Sequence, residues 1–401
     1  MHQSALNSSV EMLTHLFLLL AASTGRSNIL SLSDEEPSRW RQRTAKRRQR
    51  ADDLLDSIES GGLQLPEYLT CRGAFNVPTL QIPPRSRINW DDVDPVLDPM
   101  QGGKIRVSDR GLRKRAQVDA FHYVLSSLVD AKIQNTKEKL LTGITIIDAG
   151  CGAGNLAVAL SGLFSSQRER VNILAVDVNE QALQRLEERS QCFSSRNAQL
   201  ETCCEDLANY DSISSRITPD QNVIVMSLHA CGAASDMAMN LAFRCNNAPF
   251  VICPCCTAKS LTKRSEVQNG GAVFDPTASF QRSGASTDIL YPRSSWLRSK
   301  LDLSELSSSV EEQYTILAKV ADVGLGPQTP AQQRQTQNRA KKVIELDRLL
   351  SASENHDYDV RLVILPEHNP LVYGKGDLLL GAHKGSAEAG VMQAIFDSSC
   401  L

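Results

Sequence analysis

Asp148-Ala149-Gly150-Cys151-Gly152-Ala153-Gly154 is the segment of this 401-residue sequence whose residue types and spacing most clearly serve a ligand. Gly150, Gly152 and Gly154 let the backbone turn through positive φ and approach a bound group closely, which a β-carbon would block. Asp148 can accept hydrogen bonds from that group and suits an ammonium, which favours a cofactor bearing an amino acid. A dinucleotide fold would need glycine at 155, where Asn155 stands, and a carboxylate ahead of the first glycine is unwelcome beside a pyrophosphate. Asp177 closes the next apolar run and is placed to take two ribose hydroxyls, with Val178 beside it. Asp206 could accept from an adenine amino group, and Leu207 could line the base pocket. The plainer alternative for Asp148 and Asp206 is capping of a turn or helix.

A second constellation follows at Leu228-His229-Ala230-Cys231 and Cys253-Pro254-Cys255-Cys256. His229, Cys231 and Asp236 form the candidate catalytic set, and His229 also borders the cofactor set. An imidazole with an ordinary pKa of about 6.5 suits proton removal near neutrality. A histidine hydrogen-bonded in a strand-to-helix turn explains the same residue without catalysis. Four thiols and one imidazole could also bind zinc, which wants four such ligands in a tetrahedron. Cys-Pro-Cys-Cys is not a Cys-x-x-Cys knuckle, however, and no metal ligand is assigned from it.

These residues need strand ends to hold them. Ile144–Ile147, Val171–Val176, Leu200–Cys204, Val223–Leu228 and Phe250–Cys253 read as strands. Leu156–Phe164, Glu180–Gln191 and Ala233–Cys245 read as helices between them, with Arg113–Val129 as an amphipathic helix in front. Repeated β-α units imply a parallel sheet with right-handed crossovers, whose ligands sit at the carboxyl ends of the strands. Further on, Tyr314–Val323 and Ala331–Leu350 read as helices. Val360–Leu365 and Asp377–Leu380 read as strands, the last one antiparallel. The expected fold is α/β, a Rossmann-like, doubly wound, mostly parallel seven-stranded sheet with one antiparallel strand and helices on both faces. It occupies residues 104–385, with a Ser/Thr-rich insertion at about 257–309 over one sheet edge. Residues 1–62 are expected as an N-terminal tail with a basic helix, 63–103 as a Pro-rich extended linker, and 386–401 as a C-terminal tail.

Bulk composition selects no partner. Hydrophobic residues make up 41% and charged residues 22%, and the net charge is −3, all ordinary for a globular chain. Nine of the eleven cysteines lie between Cys151 and Cys256, several in apolar segments. They read as reduced thiols of a reducing compartment, with the cytoplasm expected. No stretch reaches the roughly 18–20 apolar residues of a membrane span, so no membrane association is expected. Val10–Ala22 is the candidate targeting segment, but Glu11 and the lack of Lys or Arg before its apolar run make it a poor secretory signal. An organellar leader is the alternative to a plain tail. Seven of the twelve residues from Arg39 to Arg50 are basic. They read as a solvated helix face that could also contact RNA phosphates.

The glycine loop and Ala175-Val176-Asp177 resemble class I S-adenosylmethionine-dependent methyltransferases. Three further segments narrow this: Ser227-Leu228-His229-Ala230-Cys231-Gly232-Ala233-Ala234-Ser235-Asp236, Cys253-Pro254-Cys255-Cys256 and Tyr291-Pro292-Arg293-Ser294. With Arg113-Lys114-Arg115-Ala116-Gln117, they resemble the methyltransferase domain of the glutathione S-transferase C-terminal domain-containing proteins over roughly 105–383. The resemblance implies the fold and S-adenosyl-L-methionine as cofactor, with in-line methyl transfer to an acceptor it does not define. A thiolate nucleophile is then unnecessary, because displacement at a sulfonium methyl needs no covalent enzyme intermediate. No glutathione transferase-like pattern is read in the first 100 residues, so the role of that module is expected to be absent. Methyltransferases acting on exocyclic base nitrogens carry Asn/Asp-Pro-Pro-Tyr/Phe where this chain has Leu228-His229-Ala230-Cys231, which disfavours that route. RNA is the first macromolecular acceptor suggested by the basic residues, with protein and small-molecule acceptors open, and a non-catalytic scaffold that keeps the fold and binds S-adenosylmethionine is the alternative of another class. The chain is expected to act as a monomer.

Overall fold

In the computed structural model, the short β-branched runs pair into one seven-stranded sheet. The described residues are 39–60, 77–100, 109–135, 143–167, 171–191, 199–218, 222–256, 289–303, 308–322, 329–368 and 376–400. Residues 47–401 form one compact unit, and 1–46 a separate one of which only the start of a helix is described. The strands are β1 Ile144–Ala149, β2 Val171–Asp177, β3 Gln199–Cys204, β4 Asn222–Leu228, β5 Phe250–Cys253, β6 Tyr358–Ile364 and β7 Asp377–His383. Their order is β3-β2-β1-β4-β5-β7-β6. β7 runs antiparallel to both neighbours, while β1 to β5 are mutually parallel, as expected.

Both faces of the sheet are covered, so its central strands read as unbroken apolar runs rather than alternating ones. Ile147, Val225, Phe250 and Ile252 face one core. It is closed by α1 (Arg39–Ser60, from Ala51 on), α6 (Ala234–Arg244), α7 (Ser295–Asp302), α8 (Val310–Ala321) and α9 (Ala331–His356). Ile146, Ile224, Met226 and Val251 face the other core. There α2 (Asp109–Asn135), α3 (Ala157–Gln167), α4 (Glu180–Gln191) and α10 (Ala387–Ser399) pack. A short helix, α5 (Tyr210–Ser214), follows β3.

Four expectations are corrected. The supposed C-terminal tail is helix α10, which buries Ala389, Met392, Ile395 and Phe396 on one face. The last part of the supposed insertion is core. Ser294 caps α7 by accepting from Leu297 N–H, and Tyr291, Leu297 and Leu301 are buried, because Asp347 of α9 fixes the backbone ahead of the helix. Residues 257–288 of that insertion lie outside the described residues, as does Val10–Ala22. Eight described cysteines are free, but Cys400 is disulfide-bonded, which corrects the reading of every cysteine as a reduced thiol. The supposed linker is only partly extended: a 3-10 helix spans Pro84–Ser86 and turns follow it up to Met100, while the stretch before Pro84 runs straight. It pairs with the outer strand β6 through Leu80 N–H to Ile364 O at 2.8 Å and Ile364 N–H to Pro78 O at 2.8 Å, covering an otherwise open sheet edge.

Candidate active site

β1 ends in Asp148-Ala149 and leaves the sheet beside β2, with Ala149 in register with Val176. The chain must then turn sharply to reach α3, and it does so through Gly150, Gly152 and Gly154 at φ +76, +54 and +72. The loop is fastened to β2. Gly150 and Cys151 N–H both donate to Val176 O, at 2.8 and 3.1 Å. Gly152 N–H donates to Asp177 Oδ2 at 2.8 Å, while Asn179 N–H donates to Asp177 Oδ1 at 2.8 Å. Arg189 of α4 straps the far side, its Nη1 donating to Ala153 O at 2.7 Å.

The two glycines that matter most differ in surroundings. A β-carbon at Gly154 would lie 2.5 Å from Leu186 Cγ, so this glycine serves packing of α4. A β-carbon at Gly152 would meet nothing within 4 Å, so the loop opens there onto space a ligand can occupy. Asp148 is buried, and its Oδ2 has no hydrogen-bond partner. Burial, then the nearby Asp177 charge, pushes its carboxyl up to about 7 against a bond from Ala157 N–H. An orphaned carboxylate oxygen in the interior costs about 1–3 kcal/mol unless a donor meets it. A ligand ammonium is such a donor. Asp177 uses one acceptor site on each oxygen for the loop, and a carboxylate has about four, which leaves capacity for ribose hydroxyls. The residues present therefore fit an adenosyl cofactor with an amino-acid tail.

The remaining cofactor candidates are placed as follows. Cys151 lies in the loop, half-buried, with its thiol pushed up by burial and then by the Asp148 and Asp177 charges. Val178 is half-buried after β2, and its carbonyl accepts from Cys204 Sγ at 3.9 Å. Asp206 closes the turn into α5, its Oδ1 accepting from Ala208 N–H at 2.9 Å. Leu207 packs into the core on the α6 face.

His229 leaves β4 at φ +65 and is exposed, held by its N–H to Cys253 O at 3.0 Å. Its Nε2 lies 3.1 Å from Gln117 Nε2, and the same Gln117 nitrogen lies 3.3 Å from His368 Nε2. His368 Nδ1 sits 2.8 Å from Pro366 O, which can only accept, so Nδ1 carries the proton and Nε2 accepts. Burial holds His368 below the ordinary imidazole range, with Arg113 adding to this. Gln117 therefore donates one amide hydrogen to each imidazole. Neither Gln117 nor His368 was expected in the site, and only the Arg-x-x-x-Gln spacing ahead of β1 hinted at the first.

Cys231 and Cys255 bring their Sγ atoms to 2.7 Å, and Cys255 Sγ lies 3.5 Å from Cys256 Sγ. Hydrogen bonds among the three thiols, then burial, push the Cys255 thiol strongly up. Asp236 is not part of this group, contrary to expectation. It is fully buried and accepts from Tyr291 Oη at 2.7 Å, Arg293 Nη1 at 2.8 Å, and Arg348 Nε and Nη2 at 3.1 and 3.0 Å. Burial opposes its charge, but Arg348 and Arg293 outweigh burial and hold the carboxyl below its ordinary range. With both oxygens committed inside the protein, Asp236 ties α6 to the segment ahead of α7 and to α9.

A family model described as a methyltransferase domain matches residues 113–263. The glutathione S-transferase C-terminal domain-containing protein of Xenopus laevis is 24% identical over 295 residues, 72% of this chain. The chain spans 38% of that relative's length. Among solved structures, magnesium protoporphyrin IX methyltransferase of Synechocystis PCC 6803 with bound SAH is 12% identical. The match covers 75% of this chain and 97% of that one, at a TM-score of 0.33. The match to an rRNA-methylase of Clostridium thermocellum, described as putative, covers 64% and 94% at 10% identity and a TM-score of 0.28.

Proposed function

We propose that this chain, which carries a methyltransferase domain over residues 113–263, binds S-adenosylmethionine along the β1–β2 tips. Its acceptor is held on the neighbouring β4–β5 side. The observation that carries this reading is the buried Oδ2 of Asp148, which has no partner and sits at the foot of a loop open at Gly152. When bound, S-adenosylmethionine would supply an electrophilic methyl group that a nucleophile attacks in line, with S-adenosylhomocysteine as the leaving group. Asp148 takes the ammonium of the amino-acid tail, and Asp177 takes the ribose through the acceptor sites that Gly152 and Asn179 leave. Holding the two reactants aligned and away from water contributes about 7–11 kcal/mol of the barrier reduction in such a site. His229 borders the acceptor side. For it to act as base, its Nε2 must give up the bond to Gln117.

The acceptor favoured is RNA. The support is the basic run on α1, where Arg43, Lys46 and Arg47 are exposed, and such residues neutralise phosphates. Calorimetry with folded wild type and Asp177→Ala tests cofactor binding. Wild type should bind and the variant should bind at least tenfold more weakly, whereas identical behaviour would reject the site. RNA affinity should fall steeply with salt, and a flat dependence would reject that acceptor.

A further inference from the structure

Cys231, Cys255 and Cys256 bring three thiols within 4.8 Å of one another. They come from two chain segments. Cys231 follows the turn after β4, and Cys255 and Cys256 follow β5. Backbone bonds hold the two turns together, from His229 N–H to Cys253 O at 3.0 Å and from Gly232 N–H to Cys256 O at 2.9 Å. The register between the turns is thus set without the sulfurs, and the sulfurs are brought together as a consequence. Cys255 and Cys256 are buried and Cys231 is exposed, so the cluster is closed by protein on one side and reachable from solvent on the other.

We propose that these three cysteines bind one zinc ion as thiolates, with the fourth coordination position open on the Cys231 side. Zinc takes thiolate sulfur at about 2.3 Å in a tetrahedron, which sets the sulfurs roughly 3.8 Å apart. The separation of 3.5 Å between Cys255 and Cys256 is close to that value, and the 2.7 Å between Cys231 and Cys255 opens to it by rotation of the exposed Cys231 side chain. A Cys231–Cys255 disulfide is the competing use of the short separation. It would need an oxidant and would leave Cys256 in the same cluster with no role. The protons of the three thiols pass to solvent as the metal binds. Three protein ligands and one open position is the arrangement of zinc sites that bind a further ligand, rather than of closed structural ones. The turn that carries Cys231 lies against the glycine loop, since a β-carbon at Gly150 would lie 3.6 Å from Cβ of Ala230, the residue between His229 and Cys231.

The test uses the full chain purified under reducing conditions. Elemental analysis should find about one zinc per chain. Cys256→Ser and Cys255→Ser should lose it, while Cys245→Ser, a buried thiol outside the cluster, should keep it. Should the serine variants fail to fold, titration of metal-stripped wild type with Co²⁺ reads the site without them. Intense thiolate-to-cobalt charge-transfer bands saturating at one equivalent are expected, and zinc should bleach them. A folded, reduced protein that shows no such bands, or a Cys256→Ser variant with undiminished zinc, would overturn the proposal. A Cys231–Cys255 disulfide in protein whose free thiols were alkylated at cell lysis, before any metal removal, would overturn it as well.

Discussion

Replacing Asp148 by asparagine should abolish a pH dependence of cofactor binding that the wild type shows below neutrality. Burial, with Asp177 nearby, lifts the Asp148 carboxyl from its ordinary 3.8 to about 7 in the cofactor-free protein. At pH 7 about half of the molecules then carry the carboxylate, and at pH 6 about one in ten. If the charged form receives the ammonium, Kd rises about fivefold between pH 7 and pH 6, or about 1 kcal/mol. Binding at pH 7 should also release about half a proton, because the ammonium draws the carboxyl into its charged form. Calorimetry in buffers of different ionisation enthalpy reads both quantities. Asp148→Asn should bind more weakly at pH 7 with no slope between pH 6 and 7 and no proton release. Stability follows the same linkage with a defined sign. The native state holds a proton that the unfolded chain loses, so this stabilisation is full below about pH 4 and lost as pH rises through about 7. The pKa difference sets an upper limit of about 4 kcal/mol, so cofactor-free Asp148→Asn should be the more stable protein at pH 8. A wild-type affinity unchanged between pH 6 and 7, or the same slope in the variant, would refute the reasoning.

Asp236→Ala leaves Arg293 and Arg348 buried without their common partner and should cost about 3–5 kcal/mol in urea unfolding; a loss under about 1 kcal/mol would return Asp236 to the site. Gly154→Ala sets a β-carbon against Leu186 at positive φ and should lower stability by about 2–4 kcal/mol. Gly152→Ala meets no protein atom, so it should cost only about 1–2 kcal/mol in stability and lose most of its cofactor affinity. Equal cofactor affinity in Gly152→Ala and wild type would show that the ligand does not approach there. His229→Ala should lower kcat by about 10²-fold or more if its imidazole is the base, with cofactor affinity within about twofold. A fall of less than tenfold would make His229 a turn residue.

The sheet was legible because its strands are buried on both faces, which writes apolar runs such as Val171–Val176 and Val223–Leu228 directly into the chain. Helix α10 was missed although Ala389, Met392, Ile395 and Phe396 have helical spacing, because Gly390 interrupts a short segment at the end of the chain. Helix α7 was hidden by Ser-rich composition, and its order depends on Asp347 more than fifty positions away. The glycine loop and Asp177 were legible since a strand-loop-helix turn needs small residues in a fixed place. The Gln117–His229–His368 array was not, since its members lie 112 and 251 positions apart and no local pattern records their meeting. Asp236 was misread for the same reason. Beside the His229-Ala230-Cys231-Gly232 turn an aspartate suggests chemistry, and only the distant Arg348 shows it to be one end of an internal ion pair.

The most direct measurement is turnover with methyl-labelled S-adenosylmethionine in fractionated cell extract, comparing wild type with Asp177→Ala and digesting the labelled product with nuclease or protease. The account predicts S-adenosylhomocysteine formation by wild type well above the variant, with the label in a nuclease-sensitive fraction. Labelled product equal in the two proteins, or none in either although wild type binds the cofactor, would contradict it.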